Sequence, residues 1–466
     1  MSGPTDEGLF DLIVTGGTVV TSSGTATTDV GVVDGRVVQL GGVMSGREVI
    51  DARGMLVLPG GVDMHVHLSP VELEGESVPW ADDFVSGSRA AAAGGVTTIG
   101  NITFPRSGER LPELVARVAA EAARDSIVDF VLHPVVLEPG GTAVADVAVL
   151  AEQGHTSIKL FMSLGHFDAQ AAEFVQVLGA AGRSGLLSMV HCEDACVIEA
   201  VTARLVAEGR TSLQHYGESR PELSEVVAVT RMIAMAEAAE APIYIVHLGS
   251  AAALAEARSA LGRGQQVYVE TRPIYLHFTD AEFATEAAPL FVGNPPLRGL
   301  SDQQALWSGL AAGHVHTCCT DHAAWTKEQK LDPTLTVQNA RPGMADLETL
   351  MPLLFSEGVR TGRLTLERFV EVTSTNAAKL FGLYPRKGTI AVGSDADLVV
   401  WDPVRPRRID DSRAQSRSGY SLYDGREVVG TPVATISRGR VLFRDGQVVA
   451  TPGGGRLVRR DSTRPL

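Results

Sequence analysis

The sequence predicts an α/β protein in which a (β/α)8 TIM barrel carries a small β-sandwich domain formed from both chain ends. Three observations predict it. Strand-like and alanine-rich helical segments alternate through the middle of the chain, and short strands broken by glycine turns occupy both ends. The length, 466 residues, exceeds the ~250–300 at which one hydrophobic core stops growing.

From Asp11 to Ile50 the chain reads as short strands: Leu12-Ile13-Val14, Thr18-Val19-Val20, Val30 to Val33, then Asp34-Gly35 and Arg36 to Leu40. An Asp-Gly pair between apolar runs signals a hairpin, because both residues tolerate the left-handed backbone that such a turn needs. The same texture returns at Ala396 to Trp401, Ala434 to Ile436, Arg440 to Phe443 and Asp445-Gly446. Neither end holds enough strands for a stable sheet alone, so the two are expected to pair. Residues 1–56 and 386–455 then form the composite β-sandwich domain, and 57–385 form the barrel inserted between its halves. Residues 456–466 are left as a C-terminal tail, an interface arm or a disordered end.

In the middle, candidate strands end at His67, Asn101, Val136, Lys159 to Met162, His191, His247, Glu270 and Asp321. Between most of them lie stretches of helical period, such as Asp83 to Ala93, Pro112 to Ala123 and Glu222 to Ala239. No G-x-G-x-x-G follows an early strand, which disfavours a doubly wound open sheet.

A net charge of −15 repels phosphate backbones and anionic lipid, so nucleic acids and membranes are excluded as partners and a small molecule is expected. No uninterrupted apolar stretch reaches the ~18 residues of a membrane span. Met1 to Glu7 is polar and acidic without a basic, then apolar, leader, and a cytoplasmic location is the expectation. Cys192, Cys196, Cys318 and Cys319 are too few for a disulfide framework. Cys318 and Cys319 read as buried free thiols, and nothing pairs with Cys192 and Cys196 as a metal clip.

In a barrel the C-terminal strand ends converge on one mouth. Those ends carry His65, His67, Lys159, His191, His247 and Asp321. His65 and His67, two apart on a strand, share one face. Taken singly, His191 and His247 read as core histidines bonded to backbone. Gathered at five strand ends, the set points to a divalent-metal site, whose usual donors are neutral imidazoles and carboxylates.

The residues Asp63-x-His65-x-His67, Ser157-Ile158-Lys159-x-Phe161-Met162, Val190-His191-x-Glu193, Val246-His247-Leu248 and Thr320-Asp321-His322 resemble the cyclic amidohydrolases of the amidohydrolase superfamily. The nearest branch is that of dihydropyrimidinases, hydantoinases and allantoinases. The similarity extends through Ala81-Asp82-Asp83-Phe84, Ala90 to Thr98, Pro295-Pro296-Leu297-Arg298, Lys379 to Gly388 and Val392 to Leu398. It implies zinc-dependent hydrolysis of the C–N bond of a cyclic amide: a hydantoin, a dihydropyrimidine or a related cyclic imide or ureide. It implies a pair of Zn2+ ions per subunit, one held by His65, His67 and Asp321 and the other by His191 and His247. Carbamylated Lys159 and a hydroxide would bridge them, and Asp321 would carry the proton to the leaving nitrogen. An ammonium cannot coordinate a cation, whereas a carbamylated amine offers anionic oxygens. Such relatives are commonly homotetramers. A non-catalytic scaffold of the same fold is the alternative from another class, and every ligand-type position here is filled.

The chain departs from that pattern in several places. Dihydropyrimidinases and hydantoinases are similar in placing a tyrosine a few residues after the bridging lysine, but here Leu164 occupies that place. Leucine donates no hydrogen bond. His166 or the metal pair is expected to take over the oxyanion. Asn294 replaces a small residue and Arg272 a common cysteine. Leu164, His166, Arg272 and Asn294 are therefore the candidate substrate contacts, with Arg272 either binding a carboxylate or paired to a protein acid such as Glu270. Asn101 stands where an aspartate is usual, an expected weakening of support around the metal. No arginine follows His67, which argues against a dihydroorotase.

Overall fold

The computed structural model describes residues 9–73, 76–461 and 466. The expectations for Met1 to Glu7 and for 462–465 lie outside the described residues. No helix among the described residues is long and apolar enough to cross a membrane.

The middle of the chain is α/β, built from parallel strands paired in sequence order. Gly61–Val66 pairs with Val96–Thr103, which pairs with Asp129–Pro134. A second run joins Ser157–Phe161, Leu187–His191, Ile243–Ile245, Val267–Thr271 and Thr317–Cys318. Isolated parallel bridges link Val135 to Lys159 and Val66 to His322. The two runs therefore meet at both margins.

Parallel strands need long crossovers, and these carry helices such as Phe84–Gly94, Leu111–Asp125, Glu222–Ala238 and Leu300–Ala312. The strands Gly61–Val66, Val96–Thr103 and Asp129–Pro134 are buried at every residue, so the polar side chains they carry, such as Asp63, His65, Asn101 and Asp129, must find partners inside the protein. The helix Phe84–Gly94 starts where the Asp83 carboxylate accepts from the N–H groups of Val85 and Ser86, and it ends at Gly95 with φ 91°. Its buried alanines, Ala90 to Ala93, let it lie close on the sheet.

The chain ends form two further sheets, of which the first combines strands from both ends and the second is N-terminal throughout. One runs in the order Gly24–Thr27, Thr18–Thr21, Leu56–Pro59, Leu398–Arg408, Glu427–Ser437, Arg440–Arg444, Gln447–Val448. The other comprises Arg36–Leu40, Val30–Val33, Phe10–Thr15 and Gly46–Asp51. Leu12, Val32, Val57, Leu398 and Ile436 share one apolar core between them.

The expected division at 56/57 falls inside a strand. Leu58 and Pro59 pair with Val399 and Leu398, so Leu56–Pro59 belongs to the end sheet. The chain leaves that sheet at Gly60, where a Cβ would lie 2.0 Å from Thr97 Oγ1. The tail also differs from an arm or a loose end over 456–461. Phe130 N donates to Arg456 O and Val458 N to Phe130 O, each at 3.0 and 2.9 Å respectively, and Val458 is buried.

A buried ion cluster ties the end sheets to the parallel strands. Lys387 Nζ lies 2.6 Å from Asp129 Oδ2, 2.6 Å from Asp397 Oδ2 and 3.1 Å from Asp395 Oδ2. Burial alone would lower the lysine's pKa, but the carboxylates of Asp397, Asp129 and Asp395 outweigh it and raise it. Lys387→Met should leave buried, uncompensated carboxylates and lower unfolding free energy by about 3–5 kcal/mol; an unchanged urea midpoint would contradict that role.

Burial also pulls His155 and His316 down to about 4 and His277 to about 3. From the ordinary value near 6.5 down to about 4 the unfolded chain binds these protons and the folded chain does not, so stability falls as pH drops through that window. By pH 5 the loss should be on the order of 2 kcal/mol per histidine, read as a lower denaturant midpoint than at pH 7.

Candidate metal centre

The strand ends bring His65, His247 and Asp321 together, with ligand-type atoms all within 4.8 Å of one another. His65 Nε2 and His67 Nε2 lie 3.2 and 3.1 Å from Asp321 Oδ1. His191 Nδ1 is 2.9 Å from His247 Nε2. His65 stacks on His247 with ring centroids 5.4 Å apart. Five sequence-predicted donors are thereby linked directly.

Lys159 faces the same cluster. Its amine is buried, and it meets no hydrogen-bond partner among the described residues; His67 Nδ1 and His247 Nδ1 are in the same state. Burial pushes the lysine down to about 8, against the pull of Asp321 and Glu270. A desolvated lysine is a lysine readily available as the free amine, the form that reacts with carbon dioxide. Burial likewise lowers His191 and His247 and brings His67 to about 4, so these imidazoles are neutral at pH 7 and carry free lone pairs. Burial opposes ionisation of Asp321, but His65 and Arg272 hold its carboxyl well below the usual range. Neutral imidazoles, an anionic carboxylate and an unpartnered buried amine fit a metal centre.

Acidic side chains orient these donors. Glu270 Oε1 lies 2.7 Å from His65 Nδ1 and accepts from His247 N, while its Oε2 accepts from Tyr244 Oη at 2.8 Å. His65 then donates through Nδ1 and leaves Nε2 free toward Asp321. Glu193 Oε2 is 2.9 Å from His191 Nε2, and Arg220 clamps that carboxylate at 3.0 and 2.6 Å. Asp63 accepts from His65 N and Thr320 N, tying the first strand to the last. His247 and Asp321 both hold left-handed backbone, φ 40° and 49°, a conformation that costs non-glycine residues energy and gathers at functional sites.

The candidate substrate contacts fare unevenly. Leu164 is half-buried in the turn after Ser157–Phe161. His166 opens the short helix His166–Ala169 and stacks on Phe174 with ring centroids 6.4 Å apart. Asn294 accepts a hydrogen bond from Tyr216 Oη. The pairing of Arg272 with Glu270 is not formed, because Glu270 is engaged by His65, His247 and Tyr244. Arg272 is fully buried, with Nη1 3.0 Å from Asp321 Oδ2 and Nε donating to Thr320 O at 2.9 Å. Its guanidinium is thus committed to the site's own carboxylate. Asn101 does not loosen the site: Oδ1 accepts from Leu68 N at 2.6 Å and Nδ2 donates to Ser69 Oγ at 2.9 Å, fixing the loop after His67. Cys192, Cys318 and Cys319 are buried free thiols, and Cys196 is an exposed one.

The sequence model of the amidohydrolase family matches residues 56–442. This chain belongs to the amidohydrolase family. The family is metal-dependent, in keeping with the cluster of His65, His247 and Asp321. A D-hydantoinase from Ralstonia pickettii is 36% identical over 459 residues, covering 97% of this chain and 99% of that protein. A solved D-hydantoinase from Bacillus sp. AR9 superposes with a TM-score of 0.94 at 35% identity, over 98% of this chain and 100% of its own. The dihydropyrimidinase from Brevibacillus agri NCHU1002 gives a TM-score of 0.91 at 34% identity, over 97% of this chain and 99% of its own.

Sequence reasoning missed Glu270 as the partner of His65 and Trp80 as the neighbour of His67. Glu270 ends a candidate strand, which was the available signal. Trp80 carries none, since the contact arises only when the loop folds back.

Lys159→Ala should abolish activity and lower bound metal, with partial recovery on adding a short carboxylic acid that mimics a carbamate. Full metal content and activity without that acid, measured by metal analysis and turnover, would remove Lys159 from the centre.

Proposed function

We propose that the chain hydrolyses the C–N bond of a cyclic amide, a hydantoin, dihydropyrimidine or related cyclic imide or ureide. The observation that carries this function is the convergence of buried, unpartnered donors (Lys159 Nζ, His67 Nδ1, His247 Nδ1) around Asp321, in a chain similar over 97% of its length to a D-hydantoinase. An allantoinase is not favoured by those relatives, and a scaffold without chemistry has no use for neutral imidazoles held around an anionic carboxylate.

His65, His67 and Asp321 would hold one zinc ion and His191 and His247 the second, with Lys159 bridging as a carbamate. When bound, such a pair supplies Lewis-acid polarisation of the amide carbonyl and a water made nucleophilic at neutral pH. Asp321 then accepts the attacking water's proton and returns it to the leaving nitrogen. Arg272, 3.0 Å from Oδ2, keeps Asp321 anionic and leaves Oδ1 turned to His65 and His67. Glu270 and Glu193 hold the imidazoles of His65 and His191 in one tautomer each.

In the proposed architecture this centre lies at the mouth of a (β/α)8 barrel, spanning roughly 60–385 with its first strand at Gly61. Its support is the set of parallel pairings that return from His322 to Val66. The composite end domain, which takes in Leu56–Pro59 from the N-terminal side and 386–455 from the C-terminal side, is a β-sandwich in the same proposal, supported by the core shared between its two sheets. A cytoplasmic homotetramer completes it.

The decisive experiment is a panel of dihydrouracil, hydantoin, allantoin and succinimide with zinc-reconstituted protein. Opening of hydantoin or dihydrouracil is expected; protein holding two equivalents of zinc that opens none of them would overturn the function. Asp321→Asn should lower kcat by about 10²–10⁴, and near-normal turnover would exclude it as the proton carrier.

A further inference from the structure

We propose that the indole N–H of Trp80 donates a hydrogen bond to a ring carbonyl oxygen of the substrate, an assignment that rests on the cyclic-amide function above. It supplies the donor that Leu164 cannot.

Trp80 is held between two walls of the centre. Its ring meets His67 edge-on at 5.5 Å and Trp325 at 4.9 Å. The next residue donates from Ala81 N to Ala324 O at 2.7 Å, tying this segment to the chain that leaves Asp321. Trp325 is itself fixed, since its Nε1 donates to Pro342 O at 2.8 Å. The indole of Trp80 is thereby positioned by packing on both sides before any ligand arrives.

Its Nε1 is buried and meets no acceptor among the described residues. A buried donor left in that state costs about 1–3 kcal/mol. Trp307 avoids the cost by donating to Leu276 O at 3.0 Å. Trp401 shares the unpartnered state, but it packs between Phe355 and Phe369, away from the histidines. Among the tryptophans, Trp80 alone combines an unused N–H with contact to a candidate metal ligand.

The chemistry selects the acceptor. An indole N–H donates only and carries no charge, so it suits a carbonyl oxygen and not a cation. In amide hydrolysis that oxygen gains negative charge, and a preorganised donor beside the ring of Phe104, which meets His67 at 6.3 Å and Phe161 at 5.6 Å, contributes more as the charge grows.

The test replaces Trp80 with benzothienylalanine, which keeps the ring and loses only the N–H, alongside Trp80→Phe. With zinc content and melting temperature unchanged, kcat/KM on the cyclic amide that the wild type opens should fall about tenfold to a hundredfold, mostly in kcat. A value within twofold of wild type in the benzothienyl protein overturns the assignment while leaving the cyclic-amide function intact. If the wild type opens no member of the panel, that function fails separately. Calorimetric binding of uncleaved dihydrouracil to both proteins then decides, and equal affinity, or none, overturns the role of Trp80.

Discussion

A buried lysine amine with no protein partner is the constraint around which this centre is arranged. Lys159 loses its hydration on folding and receives no carboxylate at hydrogen-bond distance in return. Its strand, Ser157–Phe161, is fixed on both sides by parallel pairing to Leu187–His191 and the bridge to Val135. The backbone therefore cannot swing the amine out to water. Under the proposed function, conversion of the amine to a carbamate and occupancy of the centre would relieve that penalty and would link folding free energy to loading, as in other proteins whose ligand atoms are assembled only in the native state.

Around that constraint the acids divide into two groups. Asp321 faces inward, shared between His65, His67 and Arg272. Glu270, Glu193 and Asp63 stand behind the donors and set tautomer, ring orientation and strand register. The left-handed backbone of His247 and Asp321 is tolerated because hydrogen bonds from His247 N to Glu270 and from Thr320 N to Asp63 hold the flanking segments. The Arg272 guanidinium at Asp321 Oδ2 turns a carboxylate that would otherwise rotate freely into one with a fixed inward oxygen.

Much of the centre was legible in the sequence because its donors end strands, and strand ends are marked by apolar runs that stop. His65, His67, His191, His247 and Asp321 are of that kind, whereas Lys159 stands in the middle of Ser157–Phe161 and showed itself as the one charge in an apolar run. The pairing of the two chain ends was legible for a similar reason, since each end has alternating apolar residues and too few strands. What escaped was set by tertiary approach. Leu56–Pro59 reads as the start of the next strand until its partner, Leu398–Arg408, arrives from some 340 residues away. The partner of Arg272 depends on which acids Tyr244 and His65 have already occupied. Trp80 meets His67 only because Ala81 bonds to Ala324. None of these leaves a period or a spacing behind.

The arrangement of the chain ends has a consequence for how the protein is made. Thr18–Thr21 and Leu56–Pro59 leave the ribosome early, yet their sheet needs Leu398–Arg408 and Glu427–Ser437, and the strand bearing Phe130 receives residues 456–458 as its last neighbour. The Lys387 cluster also joins Asp129 to carboxylates synthesised more than 260 residues later. Vectorial synthesis thus delivers apolar strand edges long before the residues that cover them. Closure of that sheet waits for the C-terminal strands, and until they emerge its N-terminal edges lack the backbone partners of the native state.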